Sequence, residues 1–156
     1  ETGLSFIENA ILKARHAAHA TGRPAIADDS GLVVPALGGA PGIYSARYSG
    51  GGDTDNNTKL LSAMSHLTGE DRAAFYVAVI AVVMSESDPL PIIAEGRWYG
   101  NISVKLSGTG GFGYDPLFIP ESSNYTAAEL SLAEKQALSH RAKALKALAP
   151  KLSNCQ

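Results

Sequence analysis

Cysteine is nearly absent: the chain of 156 residues has one, Cys155. A single thiol excludes an intrachain disulfide, and with it the stapled frameworks of small secreted proteins, so a reducing compartment is expected. Long hydrophobic runs are missing too. The longest, from Ala73 to Met84, falls well short of the roughly 20 residues a membrane-spanning helix needs, and no signal peptide is visible. Nor does charge of one sign dominate. Thirteen Lys and Arg stand against 15 Asp and Glu, a formal net charge of −2, which gives no footing for a polyanionic partner such as DNA. There is no initiator Met, and Ser5-Phe6-Ile7-Glu8 already reads as a capping box opening a helix. What remains is a globular composition, 45% hydrophobic, long enough for a single domain over residues 1–156 with its own core. These absences predict a soluble cytoplasmic protein with neither a membrane nor a nucleic acid polymer as partner.

The order of elements follows from periodicity. After the Ser5 cap, Ile7, Ala10, Ile11, Ala14, Ala17 and Ala18 share one helical face, and Gly22 is the natural stop. Leu32 to Leu37 reads as a strand, and a Gly-rich stretch follows from Gly38 to Gly52. A helix from about Asp55 to Leu67 has Leu60, Leu61, Met64 and Leu67 as its apolar face. The β-branched and aromatic run from Ala73 to Met84 predicts a long central strand. Pro91 to Tyr99 and Asn101 to Leu106 read as a strand pair around Gly100. Helices first, strands in the middle and helices last predict an α/β or α+β domain with a mixed sheet.

Three segments carry chemistry. In Ala27-Asp28-Asp29-Ser30-Gly31-Leu32 an apolar run ends in two carboxylates, a hydroxyl and a glycine. Alone this could be a polar turn; at the end of a buried strand it suits a metal-phosphate site. If both aspartates continue the strand they point to opposite sides, so one of them belongs to the site. In Gly108-Thr109-Gly110-Gly111-Phe112-Gly113-Tyr114-Asp115-Pro116 the glycines let a flat ligand approach the backbone. Phe112 and Tyr114 offer ring faces, and Asp115 offers an acceptor. In the last segment, Lys135, His140 and Arg141 are candidate ligand-binding cations. On one unbroken helix Lys135 and His140 would lie about 140° apart, with Arg141 about 120° away on the other side. They could not converge. Ser139 is a good N-cap, however, so the spacing predicts that one helix ends near Leu138 and a second begins there, with His140 and Arg141 in its first turn.

Together these stretches resemble the Ham1-like inosine triphosphate pyrophosphatases. The resemblance rests on Glu1-Thr2-Gly3 with Phe6 and Glu8-Asn9-Ala10, on Ala27 to Leu32, and on Leu37-Gly38-Gly39-Ala40-Pro41-Gly42 with Ser45-Ala46-Arg47-Tyr48. It extends through Gly111 to Pro116 and Ser139-His140-Arg141. It implies a two-lobed α/β fold with a long mixed sheet, flanking helices and a ligand cleft between the lobes. It implies Mg²⁺-dependent hydrolysis of ITP, dITP and XTP to the monophosphate and pyrophosphate by a homodimer. Asp29 matches the catalytic acid and metal ligand, and Glu1 a carboxylate near the metal. Ser30, Phe112, Gly113, Tyr114, Asp115, Lys135, His140 and Arg141 match substrate contacts, while Lys13 faces the phosphates and Asp28 supports the shell around them. Donors from His140, Arg141 or backbone N–H groups would donate to the C6 oxygen of hypoxanthine or xanthine and set adenine's amino group against another donor.

One departure accompanies the resemblance. The family opens with a strand and a Ser/Thr-x-Asn-x-x-Lys loop for the triphosphate, and neither is present, so the chain reads as a fragment, a processed form or a truncation lacking the first strand. Thr54-Asp55-Asn56-Asn57-Thr58-Lys59 fits the loop pattern formally, yet it follows a Gly-rich stretch and carries Asp55 where phosphates would sit. Two classes of function stay open on sequence alone: the phosphohydrolase, or a catalytically weak nucleotide-binding or dimerisation module that keeps the base pocket.

Overall fold

Helix α1 (Phe6–Thr21) starts where its cap predicts, in a computed structural model that describes residues 2–153. The Ser5 hydroxyl accepts from Glu8 N at 3.2 Å, and the Glu8 carboxylate reaches back past the cap to Leu4 N at 2.5 Å. Gly22 closes the helix at φ 63°, a left-handed conformation that costs glycine nothing, and its N–H donates to Ala18 O. Ala10, Ala14 and Ala18 are buried as the periodicity predicts. Ile7 is exposed instead, and Asn9 is buried, its Oδ1 accepting from Gly3 N at 2.9 Å.

The two apolar runs around Asp28 and Asp29 form one strand, β1 (Ala25–Val33), that passes unbroken through the polar residues. It does not extend to Leu37. Pro35 has no N–H for a ladder, and Pro35–Leu37 turns as a short 3-10 helix. Helix α2 (Asp53–Ala63) begins and ends earlier than its sequence pattern, burying Leu60. Strands β2 (Ala73–Val83), β3 (Ile92–Ile102) and β4 (Phe118–Pro120) follow. Gly100, expected to separate two strands, lies inside β3. It pairs with Pro120, and a Cβ there would strike the Ile119 backbone and the Phe118 ring. A glycine in a strand here marks close approach, not a turn.

The sheet order is β1-β2-β3-β4. By contacts the chain divides into two compact units. The first comprises the chain up to Ser30, Val77–Arg97 and the chain from Ser139; the second comprises Gly31–Tyr76 and Trp98–Leu138. Strands β3 and β4 pair antiparallel, with Gly100 opposite Pro120 and Ile102 opposite Phe118. The α/β class with flanking helices is as expected. The sheet, expected to be mixed, is antiparallel among the described strands, because β2 and β3 join through a turn and no parallel crossover links neighbours.

Each unit has its own core. In the second, Phe118 stands edge-on to Tyr76 (centroids 4.8 Å) and Trp98 (5.3 Å), with Leu32, Leu60 and Met64 packed in the same cluster. In the first, Ala78, Ile80 and Ala94 pack on Ala144 and Leu148. These two belong to α4 (His140–Ser153), which follows α3 (Leu132–Leu138) after the break predicted at Ser139. The Ser139 side chain accepts from Ala142 N at 3.2 Å. Small residues let α4 lie close to β3: a Cβ on Gly96 would overlap the backbone of His140 and Ala144. Among the described residues no helix is long and apolar enough to cross a membrane.

Candidate active site

Strand alternation sorts the first unit's polar residues onto two faces. Asp29 is buried, and Lys13 reaches it from α1, Nζ lying 2.7 Å from Oδ1 and 3.2 Å from the Asp28 carbonyl oxygen. Asp29 Oδ2 is buried with no hydrogen-bond partner among the described residues. A buried carboxylate oxygen left open in this way carries a desolvation cost that a cation or a polarised water would relieve. Asp28 and Ser30, two apart on the strand, face the other way. Both hold Arg141 of α4: Nε is 3.2 Å from Asp28 Oδ2, and Nη2 donates to Ser30 Oγ at 2.9 Å. Asp28 and Arg141 also line, with Ile26, Ala27, Ile80 and Leu145, a cavity of about 270 Å³. His140 is buried at the start of α4.

The second unit contains the glycine-rich loop. Gly108, Gly111 and Gly113 have φ of 81°, 75° and 60°, so the chain turns where residues with a Cβ would be strained. Asp115, 2% exposed, organises it. Its Oδ2 accepts from Phe112 N at 2.9 Å and pairs with the Lys135 ammonium, and Tyr76 OH lies 3.4 Å from its Oδ1. Burial, and then the charge of Asp115, push the Tyr76 hydroxyl pKa well up, so it stays a proton donor. Phe112 is 57% exposed, and the Lys135 ammonium sits 4.4 Å from its ring centroid.

Two expectations for this loop need correction. Tyr114 offers no ring face: it is buried in the core, and its hydroxyl donates to Ser45 O at 2.7 Å. Its pKa is raised, by desolvation first. Asp115 is no open acceptor either, because its oxygens already hold Phe112, Lys135 and Tyr76. Both follow from burial, which alternation inside a glycine-rich loop does not encode. Glu1 lies outside the described residues. Among those described, no group of three or more His, Cys, Asp or Glu gathers as a metal cluster. Lys59, in the segment that mimics a phosphate loop, donates to Tyr48 O at 2.6 Å and lies over the Tyr48 ring. Sequence reasoning left unassigned Asp53 and Asn57 of α2, which bond the loop at Gly113.

The family model described as Ham1 family matches residues 1–151. The chain is 57% identical to the dITP/XTP pyrophosphatase of Pseudomonas syringae pathovar tomato, the match covering 97% of this chain and 78% of that protein. It is 56% identical to the dITP/XTP pyrophosphatase of Shigella flexneri, covering 99% and 79%. Among solved structures, a HAM1 protein from Coxiella burnetii superposes with a TM-score of 0.93 at 48% identity, covering 99% of this chain and 79% of that one. The nucleoside-triphosphatase, or dITP/XTP pyrophosphatase, of Mycobacterium abscessus gives 0.83 at 46%, covering 97% and 78%. With a family match over nearly its whole length and relatives this similar, the chain belongs to the Ham1 family.

Proposed function

We propose that this chain hydrolyses deaminated purine nucleoside triphosphates, ITP, dITP and XTP, to the monophosphate and pyrophosphate, with Asp29 as the catalytic base. The observation that carries the proposal is the asymmetric environment of Asp29: one oxygen tied to Lys13, the other buried and without a hydrogen-bond partner among the described residues. The names of the relatives carry two of these substrates, dITP and XTP. Water attacks the α-phosphorus, the bond from that phosphorus to the bridging oxygen breaks, and pyrophosphate leaves with that oxygen. The attacking water's proton passes to Asp29. Lys13 keeps the carboxylate oriented and adds positive charge beside the phosphates.

The residues fit Mg²⁺. This ion takes one or two protein carboxylates and completes its shell with phosphate oxygens and water, and Asp29 Oδ2 is a buried carboxylate oxygen that no hydrogen bond among the described residues engages. Asp29 would hold it, with Glu1 as the second carboxylate that the family resemblance implies. When bound, the ion neutralises phosphate charge and favours the leaving pyrophosphate. Phe112 provides an exposed face for a purine to stack on. Arg141 only donates hydrogen bonds, as a base with an oxygen at C6 requires and an amino group does not. Activity as a homodimer in the cytoplasm completes the reading.

Pyrophosphate release from dITP, XTP and dATP by the purified chain tests it. Turnover of dITP and XTP well above dATP is expected. Asp29→Asn should lower kcat by about 10²–10⁴-fold while binding of inosine monophosphate, followed by calorimetry, largely survives. Activity within about tenfold of the parent, less than a lost general base costs, would remove Asp29 from this role.

A further inference from the structure

We propose that Asp53 and Asn57, at the start of α2, are positioning residues that set the pose of Phe112 and through it the affinity for the purine base; this rests on Phe112 being the stacking face. Gly113, the residue after Phe112, is gripped at both of its peptide groups. Its N–H donates to Asp53 Oδ2 at 2.7 Å, and its carbonyl accepts from Asn57 Nδ2 at 2.8 Å. The same Nδ2 donates to Asp53 O at 2.8 Å, and Asn57 is only 3% exposed. Both acceptors are carbonyl oxygens, so the side-chain amide has one sensible orientation, since flipping it would set oxygen against oxygen.

Phe112 N is already fixed by Asp115 Oδ2, so the ring is anchored on its own peptide and on the next. Gly113 at φ 60° and Gly111 at φ 75° are left-handed glycine conformations, and this bracing narrows the freedom that glycine brings. The result is a phenyl ring more than half exposed on a loop with little freedom. Little burial rewards that rigidity; a ligand that stacks on the ring does, because the ordering cost has been met before it arrives. The grip also gives a role to the helix that imitates a phosphate loop. Its start faces loop peptides, and Asp53 is an acid in a first turn where the helix dipole favours one.

The test is a double-mutant cycle on the purified chain, reading dITP hydrolysis and amide hydrogen exchange at Gly113. Asp53→Ala should raise KM for dITP about tenfold with kcat within about twofold, the pattern of lost binding rather than lost chemistry. Asp53→Asn keeps an acceptor oxygen and should stay within about threefold of the parent. In a Phe112→Ala background, Asp53→Ala should add nothing further to KM. Gly113 amide exchange should accelerate in Asp53→Ala whether or not Phe112 is present. An equal rise in KM in both backgrounds, or unchanged exchange, overturns the proposal, since the residue would then act on the fold in general or not reach the loop. If Phe112→Ala alone leaves KM unchanged, the stacking reading fails and takes the proposal with it, whereas a silent Asp53→Ala beside a damaging Phe112→Ala condemns only the grip. Should Asp53→Ala not fold, Asp53→Ser keeps a residue suited to a helix start but falls short of Gly113 N, and should behave as Asp53→Ala is expected to.

Discussion

Arg72 shows what a single buried residue can hold. It is 7% exposed, and its guanidinium donates from Nε to Ile102 O (2.7 Å), from Nη1 to Met64 O and Leu67 O (2.9 and 3.1 Å) and from Nη2 to Ser103 O (2.8 Å). The planar fork ties the segment after α2 to the end of β3, a reach that a point-like ammonium lacks. Arg72→Met should leave four carbonyls short of a donor and cost about 3 kcal/mol, lowering the melting temperature by about 6–12 °C. Arg72→Lys should fall between the two in a thermal melt, and a loss under about 1 kcal/mol would show that water replaces the fork. Nothing in the sequence singled out Arg72, because Ile102 and Ser103, which it ties to the segment after α2, lie far along the chain. The opposite facing of Asp28 and Asp29 was legible, since two adjacent aspartates on a strand must part. The hub at Asp115 was not: an acid in a glycine loop reads alike whether it faces a ligand or its own backbone.

Elements were legible where a local rule sets a boundary and illegible where a distant contact does. The Ser139 break was readable because a serine hydroxyl at a helix start competes for local N–H groups. The Ser131 hydroxyl and Glu134 close a second capping box at the entry to α3, bonding each other's N–H groups at 2.8 and 3.3 Å. Gly100 misled because its reason for being glycine is the approach of β4, many residues away. Ser139→Ala should therefore cost about 1 kcal/mol and Ser139→Asp should restore it, as measured by urea denaturation. Equal stability of all three proteins would mean that packing of α4 against Ala78, Ile80 and Ala94, rather than the cap, holds the break in place.

For the whole molecule, sequence order and composition were enough to read the α/β class, while the antiparallel pairing depended on strand directions that no local pattern carries. Resistance to acid is another property of the whole. Asp88 accepts from Met84 N and Leu90 N, which lower its pKa. Glu129 is lowered first by Thr126 N, and Glu134 by Ser131. Each folded pKa lies below its unfolded value, so each contribution is fully present above the ordinary carboxylate range and is lost as pH falls through the lowered folded values. The first of these groups lies in one compact unit and the other two in the second, so the loss is spread over the chain. A series of urea midpoints from pH 7 down to about pH 3, spanning the carboxylate range, should stay flat at first and then fall steeply. In Asp88→Asn/Glu129→Gln/Glu134→Gln the midpoint should start lower at pH 7, because the charge-assisted acceptors are gone, and fall less on acidification, because these groups no longer titrate. If parent and variant lose stability in parallel, the acid limit of this fold belongs to other carboxylates, and the three turns capped by Asp88, Glu129 and Glu134 are held by their backbone alone.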